Sequence, residues 1–529
     1  MPRRSLSWCI EGFTDMARLH EHQGKQILRE FKVATPRGMV ASTGEEAAQA
    51  AEKIAAPVVV KGQVFVTGRA KLGAIQFADS PEEVRQKADQ VLNLKLNNFA
   101  IEQVLVEEQI QIEQEFYAGI IIDDAAKCPV VIFSSTGGTG IEEIAAAHPD
   151  KVAKLRIDIR VGLRDYEARN LVRRTGIHGK LQMQLAGVLV KLWHAARQVE
   201  ARTAEINPLA LLQNGQVVAA DCRMTVDDYA VFRHPELGIE IARELSRPAS
   251  KLDKIAYDVE KNDYRGTFYF IQMEDGFEKG EGYVGFHGAG GGGSMMSMDA
   301  VNAQGFKLAN FTDTSGNPAA SKVYRAARII LSQKNIDAYF GSGSGVASQE
   351  QFHSARGLAK AFIEENLSIP AVIRLGGNGE DKAVDILEKC TKGLPATVEG
   401  YKKDDSAHFC AQRLRELVDA HEGQTDSGGT FEKPAFAKPY SFETITGTIT
   451  FDHGACADCD HKVCVESCIP DILKIENDVP ILAITREEAK AGKCIECLAC
   501  EMECVYHGKR GAYIDLPIAG LDDYRAEVD

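Results

Sequence analysis

The sequence predicts a multidomain protein of mixed α/β and α+β construction. Its 529 residues exceed what a single hydrophobic core organises. Short apolar runs alternate with amphipathic segments through most of the chain, which is the pattern of strands and helices in α/β folds. In addition, eight of the 13 cysteines lie between Cys456 and Cys504. We therefore expect large α/β domains followed by a small module built around the cysteines.

The first half of the chain alternates regularly between helix and strand. HEHQGKQILREF, at residues 20–31, has helical spacing, and PVVVKGQV, at residues 57–64, is a continuous apolar run of the kind that forms a buried strand. Further strand-like runs follow, namely FAIEQVLVEE, EFYAGIII and PVVIFSS. These segments define a predicted domain at residues 16–245. Residues 1–15 are an expected extension, whose apolar stretch is too short for a signal peptide.

A second alternating region begins at about residue 265. A glycine-rich loop follows YVGF, and strands at IDAYFGS and PAVIRLGG flank the helical ARGLAKAFIEE. This order predicts an open parallel sheet, in which ligands bind beyond the carboxyl ends of the strands. We assign this domain to residues 260–420, a linker rich in Gly, Ser, Thr and Pro to residues 421–445, and the cysteine module to residues 446–529.

The composition argues against nucleic-acid and membrane partners. The formal net charge of −15 repels phosphate backbones. Apolar residues make up 44% and charged residues 26%, and no run of about 18 apolar residues occurs. Clustered cysteines in a chain without an export signal indicate metal ligation in a reducing compartment, so we expect a cytoplasmic protein.

The cysteines form two runs with metal-ligand spacing. The first is Cys456-x2-Cys459-x4-Cys464-x3-Cys468 and the second is Cys494-x2-Cys497-x2-Cys500-x3-Cys504. Eight thiolates in two quartets suit two [4Fe-4S] clusters. Because the fourth cysteine of each run crosses to the other cluster in two-cluster ferredoxins, the predicted ligand sets are Cys456, Cys459, Cys464 and Cys504, and Cys468, Cys494, Cys497 and Cys500. Two zinc sites of four cysteines each are the alternative, which the spacing of the second run disfavours.

Residues 446–529 resemble the bacterial dicluster ferredoxins, including a strand pair at ILKIENDVPIL between the two runs. The resemblance implies a ferredoxin-like α+β domain whose clusters pass single electrons. Two features depart from the simplest pattern. The first run has x4 in place of x2, and the proline after the fourth cysteine is displaced to Pro470 in one run and absent after Cys504 in the other. A structural or oxidation-sensing role for the clusters is the alternative.

A phosphate-binding loop is predicted at residues 61–73, KGQVFVTGRAKLG. One lysine ends the preceding strand, and glycines, Arg69 and Lys71 follow in a flexible loop. Cations and backbone amides placed in this way can grip a polyphosphate. The loop lacks the G-x-x-x-x-G-K-[ST] pattern, so it is not a Walker A site.

From about Arg18 to Val418 the chain resembles the β subunit of succinyl-CoA synthetase and its ATP-grasp relatives. The landmarks occur in the family's order: LHEHQGKQIL, VVVKGQV, GRAKLG, LVEE, AEINPL, VFRHPEL, HGAG and VIRLGGN. The resemblance implies an ATP-grasp domain followed by a flavodoxin-like CoA-ligase domain. It also implies an ADP- or GDP-forming acid–CoA ligase that uses ATP/ADP, Mg²⁺ and CoA.

By the same resemblance, the nucleotide site maps onto residues of the first domain. Lys61, Gly68 and Arg69 would contact the phosphates of the nucleotide. Glu107 and Glu115 would lie along the adenine and ribose cleft. For each carboxylate, the alternative is a solvated surface charge.

The resemblance also implies a magnesium site beside the transferred phosphoryl group. Asn207 and Asp221 would hold Mg²⁺, which prefers oxygen ligands. Glu205, on the same strand face as Asn207, would lie nearest the transfer centre. With Lys61 and Arg69, these groups supply the positioning and charge neutralisation that phosphoryl transfer needs.

In this family the nucleophile is a histidine of a partner subunit. The sequence contains no matching histidine segment and no N-terminal CoA-binding domain of the partner's kind. We therefore expect an α-like, CoA-binding partner that carries the phosphohistidine, with this chain as half of the enzyme.

The acyl-substrate segments differ from the succinyl-specific pattern. His287 replaces an asparagine at the start of a longer loop, HGAGGGGS, and GSGSG at residues 341–345 replaces a Gly-Gly segment. STGGTGIEE, at residues 135–143, which faces the partner's histidine in the family, is one residue shorter. A flexible turn without a ligand is the alternative for the first loop. The predicted substrate-binding residues are His287, Gly288, Gly341, Ser342 and Gly343, and we expect an acid other than succinate, or a broader set.

The sequence as a whole predicts a nucleotide-binding subunit of an acyl-CoA synthetase joined to an electron-transfer module. An acyl-CoA reductase or a ferredoxin-linked oxidoreductase is the expected further partner. The alternative is an electron-transfer or redox-sensing subunit that uses the synthetase body as a docking scaffold.

Overall fold

The computed structural model of the chain describes residues 16–65, 68–96, 99–138, 141–243, 249–263, 268–343, 350–421 and 431–528. The chain divides into two compact units between Ala249 and Ser250. The expected extension at residues 1–15 and part of the expected linker lie outside the described residues. Among the described residues, no helix has both the length and the apolarity that crossing a membrane requires.

The first unit alternates strands and helices. Its strands are β1 (Met16–Leu19), β2 (Gly38–Ala41), β3 (Val58–Gly62), β4 (Ile75–Ala78), β5 (Lys95–Leu96), β6 (Phe99–Ala100), β7 (Val104–Glu108), β8 (Ile112–Asp123), β9 (Cys128–Ser134), β10 (Val152–Arg156), β11 (Ala201–Leu212), β12 (Val217–Ala219) and β13 (Arg223–Asp227). Its helices are α1 (Glu21–Glu30), α2 (Gly44–Ile54), α3 (Pro81–Leu92), α4 (Ile141–Ala147), α5 (Asp165–Arg174) and α6 (Gly179–Gln198).

Two larger sheets organise the first unit. Strands β2, β7, β3 and β4 form an antiparallel sheet in that order, and α2 and α3 pack on it. Strands β1, β13, β11, β8, β9 and β10 form the other sheet, with β12 beside β11, and α5 and α6 pack on it. The predicted strand PVVVKGQV corresponds to β3, whose residues are all buried. Lys61 therefore projects from a buried strand.

Helix α1 buries charge as well as apolar surface. Its side chains Ile27 and Leu28 enter the hydrophobic core of the first unit. Glu21 and Lys25 of the same helix are also buried. Because a buried charge is costly unless it is paired, these two residues require charged partners elsewhere in the fold.

The second unit contains a larger set of elements. Its strands are β14 (Tyr269–Gln272), β15 (Tyr283–Ala289), β16 (Lys307–Leu308), β17 (Asn310–Asp313), β18 (Ala338–Gly343), β19 (Ala371–Arg374), β20 (Val398–Tyr401), β21 (Pro439–Glu443), β22 (Thr448–Asp452), β23 (Leu473–Glu476), β24 (Val479–Leu482) and β25 (Ala512–Asp515). Its helices are α7 (Lys251–Lys261), α8 (Gly291–Ala303), α9 (Ala320–Leu331), α10 (Phe352–Glu364), α11 (Glu380–Thr391), α12 (Ala407–His421), α13 (His453–Ala457), α14 (Val463–Glu466), α15 (Arg486–Glu488), α16 (Ala499–His507) and α17 (Leu521–Val528).

The second unit is built on a parallel sheet. Its strands run in the order β14, β17, β15, β18, β19, β20, with β16 also paired to β15. Neighbours from β17 to β20 are parallel, and β14 is an antiparallel edge. This confirms the predicted open parallel sheet. The two glycine-rich segments lie side by side at carboxyl ends of neighbouring strands, since Gly288 of β15 pairs in register with Ser342 of β18.

The cysteine module packs within the second unit. Strands β21, β22 and β25 form a small antiparallel sheet, and β23 and β24 form the hairpin predicted at ILKIENDVPIL, which is thereby confirmed. One hydrophobic core includes Tyr339 and Phe362 of the parallel-sheet region together with Phe451 and Ile514 of the module. The module and the parallel-sheet region therefore share buried surface.

A buried ionic junction joins the module to α10. Lys360 of α10 lies 2.6 Å from Glu501 of α16 and 2.7 Å from Glu364 of its own helix. Glu364 also accepts from Arg328 of α9 at 2.6 Å. Burial raises the pKa of Glu501 to about 7, although Lys360 opposes this shift. The helix that carries two of the cysteines is thus bonded directly to the parallel-sheet region.

Candidate functional site

A buried network of charged side chains lies in the first unit. Lys61, on β3, donates from Nζ to Glu21 Oε1 and to Glu107 Oε2, both at 2.8 Å. Lys25, one helical turn after Glu21, contacts the same two carboxylates at 2.7 Å each. Both lysines also donate to the carbonyl oxygen of Ala220, Lys25 at 2.8 Å and Lys61 at 2.9 Å. Segments far apart in sequence therefore meet at one ionic centre.

Arg69 adds a third cation to this centre. Its Nη2 lies 2.7 Å from Glu21 Oε2 and 2.8 Å from Asp221 Oδ2, and its Nη1 donates to the Gly62 carbonyl at 3.3 Å. We call the set the six-residue ionic network: Lys25, Lys61, Arg69, Glu21, Glu107 and Asp221. Its three cations and three carboxylates balance electrically.

The network favours the charged forms of Lys61 and Glu21. Burial disfavours a charged Lys61, but Glu21 and Glu107 outweigh it and raise the lysine pKa above its ordinary value. Burial also works against a charged Glu21, whereas Lys25 and Lys61 hold the pKa of that carboxyl well below its usual range. Both side chains are therefore charged at neutral pH.

The two lysines of the network differ in access to solvent. The Lys61 side chain is 11% exposed, whereas that of Lys25 is 1% exposed. Glu107, predicted to lie along the adenine and ribose cleft, is 1% exposed, and both its oxygens accept from Lys25. Lys61 is thus the lysine that can reach a ligand, and Glu107 anchors the lysines.

The predicted catalytic strand is β11. Glu205 and Asn207 alternate with buried residues and so share one face of the strand. The backbone amide of Gly138 donates to Asn207 Oδ1 at 2.9 Å. Gly138 has φ +87°, and a Cβ at this position would lie 2.5 Å from Glu115 Oε2. Glycine therefore allows the loop to approach Asn207 and Glu115 together.

Asp221 lies beside the backbone that carries Asn207. The amide of Ala220 donates to the Pro208 carbonyl at 3.1 Å, and the Asp221 side chain is 33% exposed while paired with Arg69. The two predicted magnesium ligands therefore come from adjoining segments. Across the part of the chain that the structure describes, no three His, Cys, Asp or Glu side chains are gathered closely enough to hold a metal ion.

Gly68, the third predicted phosphate contact, opens the turn before Arg69. Its φ of +72° lies in the left-handed region, which glycine adopts readily. The amide of Lys71 donates to the Gly68 carbonyl at 2.9 Å, closing the turn. Arg69 follows directly and directs its side chain back into the network.

In the second unit, the predicted substrate residue His287 is buried. Its Nδ1 lies 2.5 Å from the Tyr339 hydroxyl, and its Nε2 lies 3.2 Å from Thr314 Oγ1. Burial lowers the pKa of His287 to about 3, so the ring is neutral at pH 7. The imidazole therefore supports the glycine loop from within, and direct contact with a substrate stays a prediction.

The loop after His287 is tightly packed at its base. A Cβ at Gly288 would lie 2.1 Å from Ser294 Oγ and 2.9 Å from the Thr312 carbonyl, so no side chain fits. Asp313 Oδ1 accepts from the amide of Gly290 at 2.9 Å. The loop is thus held by β17 as well as by β15.

The second glycine segment adjoins the first. Gly341, Ser342 and Gly343 end β18, and Ser342 Oγ lies 2.6 Å from Ser297 Oγ of α8. Residues 344 and 345 of this segment lie outside the described residues. The described substrate residues therefore converge at one sheet edge, where open α/β sheets bind ligands.

The cysteines are gathered around two separate cavities. Cys456, Cys459, Cys464 and Cys504 line one cavity, together with Lys462, Pro480, Lys509 and Gly511. Cys468, Cys494, Cys497 and Cys500 line the other, together with apolar residues and Glu496. All eight thiols are free of disulfide bonds. The crossing of the fourth cysteine of each run, predicted from spacing, matches this grouping.

Burial and the proximity of other cysteines raise the pKa values of these thiols. Burial raises the pKa of Cys456 to about 12, with Cys464 and Cys504 adding to the shift. Burial raises the pKa of Cys494 to about 12 as well, with Cys497 adding to it. Burial also raises the pKa of Cys504 and of Cys468, while backbone amides near Gly511 and Ile472 oppose the two shifts. Thiolates of cysteines are the ligands that iron–sulfur clusters use.

Two members of the ionic network escaped prediction from the sequence. Glu21 and Lys25 lie in the landmark LHEHQGKQIL, which carried the resemblance but was given no chemical role. Their spacing of four residues on one helix allows an ion pair, and that was the available signal. The partner that completes the pair, Glu107, is 82 residues away from Lys25, so its involvement had no local signal.

Known proteins match about three quarters of the chain. The profile of the ATP-grasp domain matches residues 18–211. The chain is 38% identical over 386 residues to the succinate–CoA ligase [GDP-forming] subunit beta of Thermus thermophilus, covering 73% of this chain and 97% of that protein. It is 36% identical over 379 residues to the succinate–CoA ligase [ADP-forming] subunit beta 2 of Archaeoglobus fulgidus, covering 72% and 94%.

A solved structure shares the fold over a similar span. The ATP citrate lyase from Methanothrix soehngenii in complex with citrate and coenzyme A superposes with a TM-score of 0.61 at 18% identity. The match covers 76% of this chain and 100% of that chain. At this level of identity, the likeness concerns the fold alone.

Proposed function

The chain belongs to the succinate–CoA ligase β-subunit family, and from this premise we propose that it is the nucleotide-binding subunit of an ADP- or GDP-forming acyl-CoA synthetase. In the proposed reaction a carboxylic acid is activated by a nucleoside triphosphate and joined to CoA through an acyl phosphate. Support comes from the alignment over 97% of the Thermus thermophilus subunit's length and from the buried charged side chains of the first unit.

The six-residue ionic network carries this proposal. It is electrically balanced, so Lys61 and Arg69 can turn to a polyphosphate only if the carboxylates that they leave find another cation. A nucleotide that arrives with Mg²⁺ brings that cation. Arg69 would exchange Asp221 for a phosphate, and Asp221 would join Asn207 as a magnesium ligand. This exchange would explain why Arg69, a predicted phosphate ligand, is paired with Asp221, a predicted magnesium ligand.

Glu205 and Glu115 complete the proposed nucleotide site. Glu205 shares a strand face with Asn207, which supports its place nearest the transferred phosphoryl group. Glu115 lies beside Gly138, whose amide binds Asn207, so both carboxylates adjoin the proposed metal ligand. Positioning and charge neutralisation are the main demands of phosphoryl transfer.

We assign the acyl side of the reaction to the glycine segments of the second unit, with an α-like CoA-binding subunit as the partner that supplies a phosphohistidine. Backbone amides without side chains in the way suit a carboxylate or an acyl phosphate. The buried pair of His287 and Tyr339 sets the shape of the loop base. Because this base differs from the succinyl-specific pattern, the proposed substrate is an acid other than succinate, or a broader set.

We further propose that the cysteine module holds two [4Fe-4S] clusters, one in each cysteine-lined cavity. Four free thiols line each cavity, which is the ligand count of one such cluster. The described thiols do not themselves form a group close enough to hold a metal ion, so the proposal rests on the lining of the cavities and on the spacing of the cysteines. When bound, such clusters carry single electrons. An acyl-CoA or ferredoxin-linked oxidoreductase is the corresponding partner.

The ligase proposal is tested with the chain and its α-like partner in one reaction. Acid-dependent and CoA-dependent ADP or GDP formation is measured over a panel of carboxylic acids that includes succinate. Lys61→Met is expected to lower kcat/KM roughly 100-fold or more, the scale of losing one charge-stabilising donor. Lys53→Met, at an exposed position of α2, is the matched control. Absence of activity with every acid would favour the scaffold alternative.

The cofactor proposal is tested by composition. Protein purified without oxygen is expected to contain about eight iron and about eight acid-labile sulfide per chain, as two [4Fe-4S] clusters require. Cys497→Ser should remove about half of both. A chain that binds zinc and no sulfide would contradict the proposal, since two zinc sites of four cysteines each are the alternative interpretation of the cysteine spacing.

A further inference from the structure

The first cysteine run is longer than the simplest spacing, and the extra length places a lysine against the cysteines. Lys462 lies between Cys459 and Cys464 and has φ +49°. Its Nζ donates to the carbonyls of Cys456 and Asp478, the latter at 2.6 Å. Two carbonyl acceptors therefore hold the ammonium group beside the backbone of Cys456.

The cavity of the first quartet is cationic. Of the described residues that line it, the charged ones are both lysines, Lys462 and Lys509. Lys462 is partly buried and pinned by its two acceptors, whereas Lys509 is exposed. Because solvent and salt screen exposed charges, Lys462 is the less screened of the two lysines.

The cavity of the second quartet has the opposite polarity. Glu496 lines it among apolar residues and is 1% exposed. Its carboxylate accepts from Thr444 Oγ1 at 2.7 Å, from the amide of Thr446 at 2.7 Å and from Thr446 Oγ1 at 2.6 Å. Three donors are thus aimed at one buried carboxyl group.

We propose that Lys462 makes the cluster site of Cys456, Cys459, Cys464 and Cys504 the more easily reduced of the two sites. The inference rests on the proposed presence of the clusters. An added electron makes a cluster more negative, so a nearby cation favours reduction and a nearby carboxylate opposes it. Both effects are stronger for buried groups than for groups in water. The first electron therefore reduces the cluster at the site of Lys462, and the cluster beside Glu496 is reduced at a lower potential.

The departure from the simplest spacing gains a physical role in this way. In this chain the four-residue segment between Cys459 and Cys464 carries Lys462, whose ammonium group donates to the Cys456 carbonyl. The two additional residues thus create an electrostatic difference between two otherwise similar quartets. The difference gives a single electron a preferred site within the module.

The test is a reductive titration of the full-length chain with reconstituted clusters, followed by electron paramagnetic resonance. The wild-type chain should show two one-electron steps. Lys462→Gln should lower the upper step and leave the lower one, changing the equilibrium for electron sharing about tenfold, or about 59 mV. Lys462→Arg keeps the charge and should restore most of the upper step. Lys474→Gln, at an exposed position of β23, is the control.

A second variant keeps the inference open to refutation. Glu496→Gln should raise the lower step and leave the upper one. If either variant retains both clusters and leaves the two steps at wild-type potentials, the inference is overturned. If Lys462→Gln loses its clusters, the Glu496→Gln arm decides by the same criterion. A wild-type chain that binds neither iron nor sulfide overturns the cluster proposal itself, which is a separate result.

Discussion

Replacing Lys25 by methionine tests whether the six-residue ionic network holds the first unit together. Lys25 is 1% exposed, and its Nζ lies 2.7 Å from Glu21 and from Glu107. Methionine keeps much of the apolar length of the side chain and removes its charge. The network would then contain two cations and three carboxylates, so one buried carboxylate would be uncompensated.

The expected loss of stability follows from these contacts. Two attractions of roughly 4 kcal/mol each, at about 4 Å and an effective dielectric constant of about 20, favour the charged lysine. Repulsion from Lys61 and Arg69 and the dehydration of Lys25 oppose them. Removing one partner from a buried ion pair costs about 3–5 kcal/mol. Since a domain is stable by only about 5–15 kcal/mol, the first unit should unfold at a much lower urea concentration.

Urea unfolding followed by circular dichroism, with proteolysis to locate the unfolded segment, measures this loss. Lys53→Met, on the exposed face of α2, should change the unfolding free energy by less than about 0.5 kcal/mol. The double variant Lys25→Met/Glu107→Gln restores charge balance and should recover part of the loss. If Lys25→Met costs less than about 1 kcal/mol, the reasoning is refuted, because the buried charges would then not hold the unit.

Three further predictions follow from the two sites. Asp221→Asn should raise the Mg²⁺ concentration needed for half-maximal activity, with little change in melting temperature, because the side chain is one-third exposed. Gly288→Ala should abolish acyl transfer and cost about 1–3 kcal/mol, since its Cβ would lie 2.1 Å from Ser294 Oγ; unchanged activity would contradict the packing. Burial by itself would raise the pKa of Glu21, but Lys25, Lys61 and Arg69 lower it in the folded chain. The stabilisation that this carboxylate contributes to the fold is therefore present above about pH 4.3 and is lost as the pH falls towards the lowered pKa. Glu21→Gln should therefore flatten the acid limb of a plot of urea midpoint against pH.

Spacing along the chain was sufficient to group the cysteines. A run of x2 and x3 intervals constrains which thiols can face one centre, and the rule that the fourth cysteine crosses over assigned Cys468 and Cys504 to opposite quartets. The structure lines its two cavities with these same sets. The parallel sheet of the second unit was predictable for a similar reason, because strand and helix alternation is a local property of the sequence.

Roles that depend on distant partners were harder to predict. Glu107 was expected along the adenine and ribose cleft, which stays a prediction. Its position opposite Val59 of β3 brings its carboxylate to Lys25 and Lys61. The sequence around Glu107 predicts that the residue lies on a strand, but it does not predict which side chains of other elements lie next to it. His287 differs in another way, since a histidine before a segment with five glycines suggests an open loop, whereas the pleat of β15 turns its ring towards Tyr339 and the interior.

The position of the cysteine module bears on how its proposed electron transfer relates to the ligase. A segment with the composition of a linker precedes the module, and a linker by itself would allow the module to move independently. The structure instead gives the module a common core with the parallel-sheet region, and Lys360 is bonded to Glu501, the residue next to Cys500. A carrier on a flexible tether could serve a distant acceptor by diffusion. A carrier that is fixed through α10 cannot diffuse in this way. We therefore expect its electron partner to bind the second unit where the cysteine module lies. The proposed oxidoreductase should therefore bind the assembled chain and not a released module.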